Sequence, residues 1–259
     1  IIIVDVGVAF PDDDMFGVDL VIPDFSYIVA NKKKVRGIFL THGHEDHIGA
    51  VPFLLDEISA PIFATRLTAA LVEHKLNEKR PANPVDINIV EPGDVVETGC
   101  FEVEFINVNH SMPDACAICI TTPNGRILHT GDFKVDYTPV GEEMIDLPRI
   151  AELGRKGIRL LLCDSTNAER SGYTPSESSL AESFDRIFNN EKRRVVIATF
   201  SSNVHRIQHI ITSSVNAGRK VAVTGRSMLN ILGAAIELGY MTVPDGVLVD
   251  INEIKRFKP

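Results

Sequence analysis

The chain has 259 residues, 44% of them hydrophobic and 24% charged, the balance of one or two folded domains and not of a disordered or fibrous chain. No apolar run approaches the roughly 20 residues that a bilayer requires, and four cysteines at these spacings make no disulfide framework. A formal charge of −9 weighs against a broadly basic nucleic-acid-binding surface and leaves local positive charge, from bound cations or local basic patches, as the means of meeting phosphate.

Strands are predicted over residues 1–8 and 35–40, and the second runs straight into Thr41-His42-Gly43-His44-Glu45-Asp46-His47. Neutral imidazole and carboxylate are ligands that zinc and manganese take, and a loop leaving a strand end can fold several of them onto one point. The His-x-His-x-Asp-His spacing therefore offers His42, His44, Asp46 and His47 as metal ligands. Helices are expected over 47–57 and 68–78, with a strand at 62–64 between them. Lys32-Lys33-Lys34 reads as a solvated turn and His74 as a solvated helix position.

Further strands are predicted over 101–108, 117–122 and 127–130. His110 stands just past the first and Asp132 just past the last. Either alone would read as a turn or capping residue. With the earlier loop they bring the candidate ligands to six, a set that suits two divalent ions sharing Asp132 as a bridge. Pro123-Asn124-Gly125-Arg126 predicts a hairpin that returns Asp132 to the same sheet edge. Cys116-Ala117-Ile118-Cys119 has no second Cys-x-x-Cys and is expected to pack in the core, while His129 is a core or supporting position.

After Asp164 the pattern changes. Thr174-Pro175-Ser176-Glu177 is a helix start, which places a boundary between domains at 1–175 and 176–259. Beyond it come a helix, a strand at 195–200, a helix at 203–217, a strand at 221–224, a helix at 228–238 and a strand at 247–250. Such alternation predicts a parallel sheet. Ligands of α/β sheets bind outside the carboxyl ends of the strands, where Ser201, Ser202 and Asn203 and then Arg226 and Ser227 fall. Hydroxyls, amides at a helix start and a guanidinium all suit phosphate; a plain N-cap at Ser202 or Asn203 and an ion pair at Arg226 are the competing readings. His205 and His209 lie four apart on one helix with no third ligand nearby and read as helix surface or interdomain contact.

The metal loop, together with Asn109-His110-Ser111-Met112-Pro113-Asp114, His129-Thr130-Gly131-Asp132-Phe133-Lys134, Asp164-Ser165-Thr166-Asn167, residues 199–206 and Gly225-Arg226-Ser227-Met228, resembles the successive motifs of the ribonuclease J family, a β-CASP branch of the metallo-β-lactamase fold. The resemblance covers essentially the whole chain. It implies an α/β architecture: a metallo-β-lactamase αββα sandwich followed by part of a parallel-sheet β-CASP domain. It implies His42, His44 and His110 on a first metal, Asp46 and His47 on a second, Asp132 bridging them, and Asp5 as a structural aspartate. Asp164 would lie beside the metals and complete a catalytic set with Asp46 and Asp132.

The same resemblance implies two divalent ions, zinc foremost with manganese or magnesium as alternatives. It implies RNA as substrate, 5′-monophosphorylated and degraded 5′-to-3′ with endonuclease cleavage as well, in RNA turnover and maturation, by a homodimer or homotetramer. No leader-like segment opens the chain, so a cytoplasmic location is the expectation. Ile1 begins inside an apolar strand, and the family's later His-x-Ser-Gly-His and His-Gly-Glu segments do not occur, so a piece of a longer protein is expected. A thioester, lactone or lactam hydrolase would use the same metal motif, and a non-catalytic RNA-binding subunit is the third reading. The added α/β module with two phosphate-compatible loops favours the nuclease.

Overall fold

Apolar runs of four to eight residues, cut by glycine, proline and aspartate, dictate short strands. The computed structural model describes residues 1–141 and 144–257, and the chain divides into two units. The first comprises Ile1–Val108, Asp114–Phe133 and Ile145–Ala168; the second comprises Asn109–Pro113, Lys134–Met144 and Glu169–Pro259.

In chain order the first unit holds β1 (Ile3–Val4), α1 (Ser26–Ala30), β2 (Ile38–Phe39), α2 (Glu45–Ile48), α3 (Val51–Glu57), β3 (Ile62–Ala64), α4 (Arg66–Glu78), β4 (Ile87–Ile89), β5 (Val95–Thr98), β6 (Phe101–Asn107), β7 (Cys116–Thr122), β8 (Gly125–His129), α5 (Leu147–Lys156) and β9 (Leu160–Leu162). Strands β1 to β4 form a parallel sheet in that order. Strands β5 to β9 form a second sheet, antiparallel through β8 and closed by β9 parallel to β8.

Alternation along the strands divides the apolar residues between the two faces of the second sheet. Val103 and Phe105 of β6 and Cys116, Ile118 and Ile120 of β7 pack against Phe39 of the first sheet, with Val4 and Phe63 beside them. Phe39 and Phe63 stack at 4.9 Å between ring centroids, an arrangement that favours this layer beyond its area alone. On the opposite face Ile106, Ala117, Cys119 and Leu128 meet Leu153 and Ile150 of α5. Helix α5 is also fastened by a bidentate fork in which Arg149 donates to Glu104 of β6 at 2.6 and 2.9 Å. With α4 packed beside β3 and β4 on the outer side of the first sheet, the layers are αββα. The expected core role of Cys116 and Cys119 holds: both are buried, free thiols.

The second unit holds a 3-10 turn (Glu177–Leu180), α6 (Ala181–Asn190), α7 (Val204–Asn216), β10 (Val221–Ala222), α8 (Arg226–Glu237) and β11 (Leu248–Val249), ending in a 3-10 segment (Ile251–Arg256). Strands β10 and β11 are parallel, as the alternation predicted. Ser176 opens this region by accepting from the Ser178 amide, and Arg219 ties the end of α6 by donating to the carbonyls of Phe188 and Arg193. No helix among the described residues is long and apolar enough to cross a membrane.

Several elements differ from expectation. The helix predicted over 47–57 is broken into α2 and α3, because Pro52 lacks an amide hydrogen and its ring clashes with a continuing helix. The strand predicted from residue 1 to residue 8 pairs only at Ile3 and Val4, since Asp5 turns to φ +57°. Residues 195–200 form no ladder, and Val196 and Phe200 are largely exposed; among the described residues nothing pairs along them, and a strand exists only with a partner. Strands β4, β5 and β9 went unpredicted. In β9 three successive leucines, Leu160, Leu161 and Leu162, are 47%, 54% and 45% exposed, so both of its faces are open.

Candidate metal centre

The candidate ligands come from three strand ends. Thr41 to His44 follow β2, with His44 as the N-cap residue of α2, and Asp46 and His47 ride on that short helix. His110 follows β6, and Asp132 follows β8. The structure brings all six together in two overlapping groups. Ligand atoms of His42, His44, His110 and Asp132 lie within 4.8 Å of one another, and so do those of Asp46, His47 and Asp132. Asp132 belongs to both groups.

Backbone close approach makes this convergence possible. A Cβ on Gly7 would lie 1.6 Å from the Asp46 carbonyl oxygen, and one on Gly49 would lie 2.5 Å from the Glu45 carbonyl. Only glycine lets the segment after β1 lie directly on α2, where the Val6 and Val8 amides donate to the carbonyls of His47 and Glu45. Gly131, at φ +56°, turns the chain just before Asp132, and a Cβ there would meet the Cys116 carbonyl at 2.9 Å and the Thr41 side chain at 3.1 Å.

Asp5 organises the interior of the site. Its Oδ1 accepts from the Thr41 amide at 2.8 Å and its Oδ2 from the Thr41 hydroxyl at 2.8 Å. His47 Nδ1 lies 2.7 Å from the same Oδ2. A carboxylate only accepts, so His47 carries its hydrogen on Nδ1 and turns Nε2 toward Asp132, 3.3 Å away, and Asp46, 3.7 Å away. Carboxylate support of this kind fixes the tautomer and orientation of a metal-binding imidazole.

Burial works against charge on His47, but the bonds to Asp132 and Asp5 and the fields of both carboxylates outweigh it and push its pKa up to about 10. The negative surround that favours a proton on Nε2 favours a metal cation at the same place. Burial dominates at His44 and lowers its pKa against the pull of Asp46, leaving the neutral imidazole that ligates metal. Donor chemistry, proximity and carboxylate support all fit divalent metal.

Asp164 lies in neither ligand group. Its amide donates to Thr130 Oγ1 at 2.9 Å, and its carboxylate accepts from the Thr166 amide, which makes an Asx turn at the end of β9. In the second unit Ser201 and Ser227 are joined by a 2.8 Å hydroxyl hydrogen bond, so the two candidate phosphate loops meet there. Ser202 lies half-buried beside them. Asn203 is buried and accepts from the Arg206 amide, which makes it the N-cap of α7. Arg226 is exposed in the first turn of α8. His205 and His209 belong to neither ligand group found among the described residues. Thr41 and Gly7 were missed as contributors; a hydroxyl directly before the ligand run was the one signal for Thr41, and Gly7 carried none.

Compared with known proteins, residues 1–197 match the metallo-β-lactamase superfamily and residues 192–259 match the ribonuclease J β-CASP domain. Similar curated proteins include ribonuclease J of Helicobacter pylori, 44% identical over 99% of this chain and 37% of that protein, and ribonuclease J of Synechocystis, 44% identical over 99% and 40%. Ribonuclease J2 of Bacillus subtilis is 38% identical over 99% of this chain and 46% of its own. The chain thus spans about two fifths of the length of the curated relatives it matches. A solved protein of unknown function from Enterococcus faecalis shares the fold at a TM-score of 0.66 and 17% identity, over 99% of this chain and 69% of that one.

Proposed function

This chain belongs to the metallo-β-lactamase superfamily and carries a ribonuclease J-type β-CASP module after its metallo-β-lactamase domain, and on that premise we propose that it acts as a two-metal ribonuclease. The observation that carries this reading is the sharing of Asp132 by two groups of ligand atoms, each within 4.8 Å, the arrangement a bridging carboxylate needs. His42, His44 and His110 would hold one ion and Asp46 and His47 the other, with Asp132 placed to serve both. Zinc is the first choice for a site rich in imidazole, with manganese or magnesium as alternatives.

Bound divalent ions supply Lewis acidity, a water of lowered pKa and compensation of charge on phosphoryl oxygens. The chain's own part is to hold that arrangement: Asp5 sets the His47 tautomer, Thr41 ties Asp5 to the ligand loop, and Asp164 anchors the loop after β9. Ser201, Ser202, Asn203, Arg226 and Ser227 offer hydroxyls, amides and a guanidinium to an RNA backbone; Asn203 does so from a capping position. The identity of the curated relatives, ribonucleases by name, supports RNA as substrate; a 5′-monophosphorylated end, degradation from that end and endonuclease cleavage are what the family resemblance implies beyond it. The same resemblance supports a homodimer or homotetramer and a cytoplasmic setting.

Elemental mass spectrometry on the purified protein, paired with digestion of 5′-monophosphorylated and 5′-triphosphorylated RNA, tests the reading. About two metal equivalents per chain and faster loss of the monophosphorylated RNA are expected. A metal-free protein, or one that cleaves a thioester or lactone and leaves RNA intact, would overturn it.

A further inference from the structure

We infer that Asp114 is a positioning residue for the metal centre: it clasps the β6–β7 connection, which carries His110, onto the start of α4. The inference rests on the two-metal reading above, but its geometry stands apart from any ion. Asp114 Oδ2 accepts from the Leu67 amide at 2.8 Å, and Oδ1 lies 2.9 Å from the Thr65 hydroxyl. Thr65 is the N-cap residue of α4, yet its own side chain caps nothing. An aspartate 49 residues further along does that work in its place, by accepting from the Leu67 amide.

The backbone of Asp114 shows that the position is over-determined. It sits at φ +55°, in the left-handed region that non-glycine residues occupy at a cost. What holds it there also fixes what comes next. The Val108 amide donates to the Ala115 carbonyl at 3.1 Å and closes the connection, while the Cys116 amide donates to the Thr41 carbonyl at 2.9 Å. A Cβ on Gly131 would touch both the Cys116 carbonyl and Thr41. Thr41 precedes His42, Gly131 precedes Asp132, and Cys116 closes the connection bearing His110. All three ligand-bearing segments are therefore in backbone register within two residues of Asp114.

A residue that merely caps α4 would affect helix stability and leave the register of these segments alone. Asp114→Gly separates the two roles, because glycine relieves the φ +55° conformation while removing the clasp. Ala70→Gly serves as control, weakening α4 without touching Asp114. Two readouts are needed: zinc dissociation constants by chelator competition, and hydrogen–deuterium exchange of the peptide spanning residues 105–116.

Asp114→Gly is expected to weaken at least one zinc-binding step by about tenfold or more and to speed exchange across that peptide. Asp114→Asn, which keeps one acceptor and tolerates the left-handed conformation, recovers part of both, and Ala70→Gly changes neither. Wild-type zinc constants together with wild-type exchange in Asp114→Gly would overturn the inference. Should that variant not melt cooperatively, Asp114→Ser is measured in its place by the same criterion. If the wild-type protein binds no zinc, the two-metal reading fails while exchange still judges the clasp.

Discussion

The two units fix their candidate functional side chains by different means. In the first, the segments bearing His42 to His47 and Asp132 are locked by contacts distant in sequence: Asp5 on Thr41 and His47, Gly7 under Asp46, Gly131 against Cys116 and Thr41. In the second, the candidate residues stand at or just before helix starts and are held by single side-chain bonds, Asn203 to the Arg206 amide three residues on and Ser201 to Ser227 on the neighbouring loop. A metal demands several ligands at one point and so a scaffold that resists displacement. A phosphate backbone is met by hydroxyls and amides that helix starts present in any case.

The sharpest way to break this contrast is at the residue shared by both ligand groups. Asp132→Ala is expected to lower metal content from about two equivalents and to cut RNA hydrolysis by about 10³-fold or more, as loss of metal-ion charge stabilisation requires; elemental analysis beside initial rates reads both. Next comes the scaffold. Gly7→Ala drives a methyl into the Asp46 carbonyl and should cost about 3 kcal/mol in urea unfolding, whereas an equivalent change in an exposed loop of the second unit should cost far less.

A third test lies in the second unit. Asp136 is buried, and although burial alone would raise its pKa, bonds from the Thr138 amide, Ser176 and Lys134 hold it below the usual carboxylate range. Its stabilising contribution is therefore present above the unfolded-state value and is lost as pH falls through the lower folded value. Asp136→Asn should cost about 1–3 kcal/mol at neutral pH and flatten the acid limb of a stability-versus-pH curve. The smallest effect belongs to Asn203→Ala, about 1 kcal/mol of stability for a lost N-cap. A change in KM for RNA well beyond that loss would show Asn203 contacting substrate, and none would leave it a cap.

How much was legible follows from the range of the contacts involved. Ligand chemistry is written in residue types at short spacing, so His42, His44, Asp46 and His47 stood out, and His110 and Asp132 joined them through strand ends that the apolar pattern marks. The strand at 62–64 and the parallel alternation of the second unit were legible for the same local reason. Residues 195–200 look like a strand by composition, but a ladder is a property of two segments. Gly7 and Gly131 matter because of carbonyls and side chains far along the chain, which no local pattern announces. Asn203 shows the reverse case, where one residue type serves a cap and a phosphate site equally and only geometry tells them apart.

The three exposed leucines of β9 bear on how the protein behaves as a solute. Among the described residues no strand pairs with the outer edge of β9, and an apolar edge without a charge to guard it is a template for further strands. Concentrated samples should scatter light increasingly with time, and Leu161→Lys, which sets a gatekeeping charge at the middle of that edge, should suppress the scattering while leaving metal content unchanged.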